Sequence, residues 1–211
     1  MLIDFRTLFP KYGINPKGVL HVGANRGEEF PVYMELGIKK QIWVEAHKPT
    51  FNKLKVNVSG NPEAICWNAC ISNENGQLVT FHVSNNGSQS SSILELGTHA
   101  QVHPEVHYIE TIEMTTTRLD RLFQSEFVDV SNYDFLNIDL QGAELKALKG
   151  LGGLIKGFKW AYLEVNRKEL YKGCALVDDI DYYLGAYGFE RVETFWTGFE
   201  WGDALFVKNE D

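Results

Sequence analysis

A chain of 211 residues with 44% hydrophobic and 13% aromatic content can build a full core, which excludes a disordered segment and predicts one domain over 1–211. The net charge of −8, without any Lys/Arg cluster, argues against a nucleic-acid partner, which needs a basic face. No apolar run approaches membrane-spanning length and no leader pattern is evident, so no membrane association is expected; Cys66, Cys70 and Cys174 lack zinc or disulfide spacing, so reduced thiols in the cytoplasm are expected.

In chain order, Phe5, Leu8 and Phe9 outline an apolar helical face before Pro10. Val19, Leu20 and Val22 then form a buried-strand run that turns over Gly23 and Gly27 into a helical stretch, 28–36. Two glycines in such a turn let backbone approach a ligand closely, and the helix N-terminus offers free N–H donors. A second strand, 39–45, ends in Glu45, and Pro49 opens the next helix. Residues 64–67 read as a third strand, followed by Asn68, Ala69 and Cys70; Asn75-Gly76 signals a hairpin between 70–72 and 77–83.

The polar stretch 84–106 has no sustained periodicity and is expected to be a substrate-side insertion, loop or partly helical. Residues 108–115 alternate as a strand and 118–123 form a short helix. Regular order resumes with a strand ending at Asp139, a helix stopped by Gly150, a strand ending near Glu164, and a helix over 177–187 capped by Gly188. Residues 190–195 and 204–207 predict an antiparallel finish.

Strands alternating with helices predict a mostly parallel sheet covered on both faces, with ligands at the carboxyl ends of the strands. Asn25, Glu45, Asn68, Asp139 and Glu164 collect there. The turn 23–27 lacks the middle glycine of a dinucleotide fingerprint, and no phosphate-binding lysine follows it. A smaller ligand with an amino-acid end, a ribose and a base fits better. Glu45 is placed to accept from a ribose diol, Asn68 or its neighbours to meet an adenine, and Asp139 to meet the ammonium or the reacting centre.

Three motifs carry a resemblance. Val22-Gly23-Ala24-Asn25-Arg26-Gly27, then Val44-Glu45-Ala46-His47-Lys48-Pro49, then the run from Asn137 to Leu145 with Leu148-Lys149-Gly150, resemble the FkbM family of methyltransferases over roughly 18–208. The resemblance implies a class I methyltransferase fold, a Rossmann-like three-layer α/β sandwich whose mostly parallel seven-stranded sheet ends in an antiparallel C-terminal hairpin. It also implies S-adenosylmethionine as donor, S-adenosylhomocysteine as product, and O-methylation of a sugar, glycan or other small natural product. Carried over by position, Gly23, Asn25 and Gly27 would line the methionine end, Glu45 the ribose, and Asn68, Ala69 and Cys70 the adenine, with His21, Ala24, Ala46, Asp139 and Gln141 as further cofactor-binding residues. The family commonly has Lys-Ile-Asp-Val-Glu-Gly in the third motif; here Asn137 replaces the lysine and Gln141 the glutamate, and Ala46 replaces a frequent proline.

Methylating an alcohol needs alignment, a dry cavity and a proton acceptor, for which Asp139, His47 and Glu164 are candidates. Ser91, Ser92 and Trp196 are candidate substrate contacts; Trp196, with Phe199 and Trp201, offers a face for a sugar ring, the alternative being a packed hairpin end. Asp139, Glu164 and Asn166 have oxygens suited to Mg²⁺, but a satisfied buried acid is the preferred reading and no metal is expected. His99, His103 and His107 recur every four residues, but Pro104 breaks the helix a metal site would need. The alternatives to an O-methyltransferase are a non-catalytic cofactor-binding module, favoured by Asn137 and Gln141, and an N-methyltransferase. Homo-oligomerisation is left open.

Overall fold

A computed structural model describes residues 2–209. Its central sheet has seven strands, laid out as β3 (Ala64–Trp67), β2 (Lys40–Val44), β1 (Gly18–Val22), β7 (Phe135–Ile138), β8 (Trp160–Asn166), β10 (Trp201–Lys208) and β9 (Phe189–Trp196). The first five are mutually parallel, and β10 runs antiparallel between β8 and β9. The expected mostly parallel sheet with an antiparallel C-terminal hairpin is therefore what the chain adopts.

Strands buried on both faces explain why β1, β2 and β7 read as nearly continuous apolar runs. Alternate side chains feed two cores. On one face Leu20, Val22, Leu136 and Ile138 pack with α5 (Leu119–Ser125), α6 (Glu144–Leu151) and α7 (Val177–Gly185). On the other, Val19, Trp43 and Phe135 pack with α1 (Phe5–Tyr12), α2 (Phe30–Glu35) and α3 (Lys48–Asn57). These faces and the sheet make the three layers. No helix among the described residues is long and apolar enough to cross a membrane, and the three cysteines are free thiols.

Two expectations change. The Asn75-Gly76 turn forms, with Gly76 at φ +80°, but the strands beside it do not pair with each other. Both β4 (Cys70–Ile71) and β5 (Leu78–Ser84) pair with β6 (Tyr108–Thr117), which lies between them. The turn is tied to that strand, because Gly76 N donates to Thr116 O at 2.8 Å and Thr116 Oγ1 donates to Glu74 O at 2.8 Å. Second, α2 begins at Phe30 with Glu29 in its N-cap position, so the helix is short and its start carries an acid.

The stretch 84–106 contains one short helix, α4 (His99–Val102), and several of its residues line the same cavity as the ends of β1, β2 and β7. Single bridges join His82 to Ser92 and Leu96 to Tyr171, while Gly97 N donates to Leu170 O at 2.7 Å and Thr98 N to Glu169 O at 3.0 Å.

Candidate active site

The floor of the site begins where β1 ends. Gly23 and Ala24 both donate to Val44 O at 3.0 Å, which pulls the turn against β2. Gly23 sits at φ +79°, and a Cβ there would lie 1.7 Å from Asp139 O. Gly27, at φ +77°, would put a Cβ 2.8 Å from Leu54 and 3.1 Å from Val58 on and beside α3. Both glycines thus answer to the protein's own backbone and core, where the sequence pointed to a ligand's approach.

Glu45 follows β2, only 8% exposed. Its carboxylate accepts from Asn25 N at 3.0 Å and His47 N at 2.8 Å, one bond on each oxygen. Burial pushes its pKa up to about 7, against the pull of those N–H groups. A carboxylate has about four acceptor sites, so both oxygens keep capacity for a diol. Beside it the Asn25 Oδ1 is buried without a partner.

The second acidic group belongs to β7 and β8. Oxygens of Asp139, Glu144 and Glu164 lie within 4.8 Å of one another. Gln141 stitches them together, since its Nε2 donates to Asp139 Oδ1 and to Glu164 Oε2, each at 2.7 Å, and its Oε1 accepts from Tyr171 OH. Glu144 Oε1 accepts from Leu140 N at 2.8 Å and Gly142 N at 3.0 Å, whereas its Oε2 is buried and unpartnered. Gln141 holds φ +52°, costly for a side chain with a Cβ, with its carbonyl accepting from Ser92 Oγ at 2.9 Å. Burial raises Asp139 to about 6 and Glu144 to about 7, and lifts Glu164 well above the carboxylate range, with neighbouring acids adding to it.

Glu144 takes the place in this cluster that the sequence offered to Asn166, whose amide atoms are both buried and unpartnered. The oxygens suit a hard cation, but the Gln141 amide already bridges two of them.

A third group lies under the turn. Asn137 Nδ2 donates to Tyr33 OH at 2.8 Å, and Tyr33 OH pairs with His21 Nδ1 at 3.3 Å. His21 stacks on Trp43 with centroids 5.1 Å apart, and burial lowers its pKa to about 3, so the ring is neutral. On the same face of the sheet, Tyr162 OH and Leu2 N each donate to Asp203 Oδ2 at 2.6 Å.

These groups surround one cavity of about 570 Å³. Of the expected residues, His21, Gly23, Ala24, Asn25, Glu45, Ala46, Ala69, Ser91, Asp139, Gln141 and Glu164 stand on its wall. Gly27, His47, Asn68, Cys70, Ser92 and Trp196 do not. Asn68 Nδ2 donates to Glu45 O and Ala46 O, each at 2.8 Å, and so holds the loop after β2. His47 Nδ1 is engaged by Thr50 Oγ1 at 2.9 Å and Ser88 Oγ at 3.2 Å, which turns this candidate base away from the cavity. Cys70 is buried in β4, Ser92 is spent on Gln141, and Trp196 lies under Arg167 at 3.9 Å.

Of the three aromatics the sequence offered for sugar stacking, Trp201 stands on the wall, which also holds residues the sequence did not nominate as site residues, among them Glu28, Glu29, His99, His103, Glu105, Tyr171 and Asp203. The four-residue spacing of His99 and His103 was the one available signal, and it pointed to a metal; Asp203, inside a buried strand, had none. Seven carboxylates (Glu28, Glu29, Glu45, Glu105, Asp139, Glu164 and Asp203) and no lysine or arginine line the cavity among the described residues.

The order of the sheet and the cavity at its carboxyl ends define a class I methyltransferase fold. The model of the methyltransferase FkbM domain matches residues 21–191, and the chain belongs to that family. It is 27% identical over 194 residues to the 2-O-methyltransferase NoeI of Sinorhizobium fredii, covering 89% of this chain and 77% of NoeI. Among solved structures it is similar in fold to the candidate tRNA methyltransferase Sp1610 of Streptococcus pneumoniae in complex with S-adenosyl-L-methionine. There the TM-score is 0.53 at 13% identity, over 100% of this chain and 75% of that one. A SAM-dependent methyltransferase of Aquifex aeolicus gives 0.50 at 17% identity, over 98% of this chain and 90% of that one.

Proposed function

We propose that this protein binds S-adenosylmethionine in the cavity and O-methylates a hydroxyl of a small molecule or glycan. The observation that carries the reading is the wall itself, seven carboxylates without a lysine or arginine among the described residues. Such a wall suits a donor with a sulfonium and an ammonium. Those of the wall's acids that are ionised oppose phosphates, since like unit charges 5 Å apart at an effective dielectric of about 20 repel by about 3 kcal/mol.

The residues present fit this donor. Gly23, Ala24 and the unpartnered Asn25 Oδ1 would hold its amino-acid end, with His21 beneath; Glu45 and Ala46 would hold the ribose, and Ala69 the base. Gly27, Asn68 and Cys70 would act by fixing the backbone around them. When bound, the donor supplies an electrophilic methyl carbon on a cationic sulfur. Asp139, held by Gln141, would face that cationic end and regain its charge there, because an adjacent cation reverses the effect of burial. Glu164, raised further, holds its proton more firmly and is not free to take another from the acceptor. Ser91 stays a candidate acceptor contact; Ser92 acts through Gln141. Similarity to a 2-O-methyltransferase favours oxygen over nitrogen as the acceptor.

Calorimetry on the full chain with S-adenosylmethionine and S-adenosylhomocysteine tests the donor, and binding of neither ends this reading. Labelled methyl transfer to a panel of hydroxylated sugars tests the reaction. Tight donor binding without transfer to any acceptor, together with turnover appearing in the N137K/Q141E double variant, would establish the non-catalytic module instead.

A further inference from the structure

The cavity has an outer wall that the donor reading leaves unused. His99, the first residue of α4, is only 5% exposed and stands on that wall. Its Nδ1 is sealed from solvent and has no hydrogen-bond partner among the described residues. A buried imidazole in this state lacks a bond that buried polar groups ordinarily make. Aromatic surface surrounds it. His103 lies 5.1 Å and Tyr171 5.4 Å from the His99 ring, Phe199 lies 4.9 Å from His103, and Trp201 shares the wall. Glu105 adds a carboxylate 3.5 Å from His103 Nδ1. The Tyr171 hydroxyl, bonded to Gln141, joins this wall to the acids beside the reacting end.

We propose that this wall is the acceptor subsite, that it takes an uncharged pyranose ring, and that His99 receives the hydrogen of the hydroxyl to be methylated. The proposal rests on the methyl-donor reading above. Ring faces of a sugar are apolar and lie against aromatics, while its rim of hydroxyls needs acceptors such as His99 and Glu105. No lysine or arginine stands on the wall among the described residues to pair with a phosphate or carboxylate, which opposes sugar phosphates and nucleotide sugars. In transfer the O–H bond breaks, the proton passes to His99 and on to solvent, and the oxygen keeps the electron pair for its new bond to carbon. Burial lowers the pKa of His99, which leaves the ring neutral and able to accept.

The test uses the full chain saturated with S-adenosylhomocysteine. The probes are methyl α-D-mannoside, methyl β-D-glucoside and methyl β-D-galactoside against the 6-phosphates of the same sugars. Long-range ¹H–¹⁵N spectra of the histidine rings, assigned with H99Q and H103Q, report contact. At least one neutral glycoside should shift His99 and His103 and bind at least tenfold tighter than its 6-phosphate. W201A should weaken that binding about tenfold while S-adenosylhomocysteine affinity stays within twofold. Equal binding of a phosphate, binding without a shift at His99, or no binding by any of the three glycosides would overturn the subsite. Failure of S-adenosylhomocysteine itself to bind would instead remove the donor reading on which it stands.

Discussion

The floor and the rim of the cavity are built in different ways. The floor, where β1, β2, β7 and β8 end, is fixed by main chain: Gly23 packs on Asp139 O, and backbone N–H groups clamp Glu45 and Glu144. The rim, 84–106 with Tyr171 and Trp201, is an arrangement of side chains on a segment with little regular structure, tied to His82, to Gln141 and to 169–172. Parts positioned by parallel strands tolerate little change, whereas a segment outside the sheet and its helices is freer to vary with the acceptor.

Two glycine substitutions separate the halves. G23A forces a Cβ into a carbonyl at positive φ, and should cost about 4 kcal/mol in denaturant unfolding or prevent folding altogether. G97A places a Cβ 2.4 Å from Glu169 O in the rim. It should cost about 2 kcal/mol and expose 84–106 to limited proteolysis, with the sheet amides still protected from exchange. Equal effects from the two would erase the distinction.

Between them in size is a pH effect specific to the floor. The folded pKa of Glu45, about 7, lies above its ordinary 4.5. The fold therefore favours the protonated acid; its contribution is full below pH 4.5 and is lost as pH rises through 7. By that shift E45Q should be up to about 3 kcal/mol more stable than the parent at pH 8.5 and nearly equal at pH 4, read from paired urea titrations. The gain should come with weaker donor binding. An E45Q difference independent of pH would mean that Glu45 is not held against its charge. The smallest effect tests the joint between the halves. Y171F removes the hydroxyl donated to Gln141 and should lower stability by about 1 kcal/mol.

The same contrast decides what was legible in the sequence. Strands buried on both faces announce themselves as apolar runs, so Glu45, Asp139 and Glu164 were located by where those runs stop. Gly23 was found, but for a different reason, because its steric partner, the Asp139 carbonyl, lies over a hundred positions away in the chain. Asn68 and His47 were placed near the site, yet their side chains bond to local groups that spacing does not reveal. The rim was legible only as an interruption of pattern. His99 meets Tyr171 because Leu96 bridges to that residue, and Trp201 and Asp203 reach the cavity because β10 inserts antiparallel beside β8. Contacts across such separations leave no periodic trace.

The most direct measurement is a calorimetric titration of the full chain at pH 6 and 8 with S-adenosylmethionine, ATP and NAD. An acidic wall with Asp139 near 6 and Glu45 near 7 predicts that S-adenosylmethionine binds, binds tighter at pH 8, and releases protons on binding at pH 6, as compared in buffers of different ionisation enthalpy. The phosphate ligands should not bind. Binding of ATP or NAD in preference to S-adenosylmethionine, or binding of none of the three, would contradict the assignment of this cavity to a cationic methyl donor.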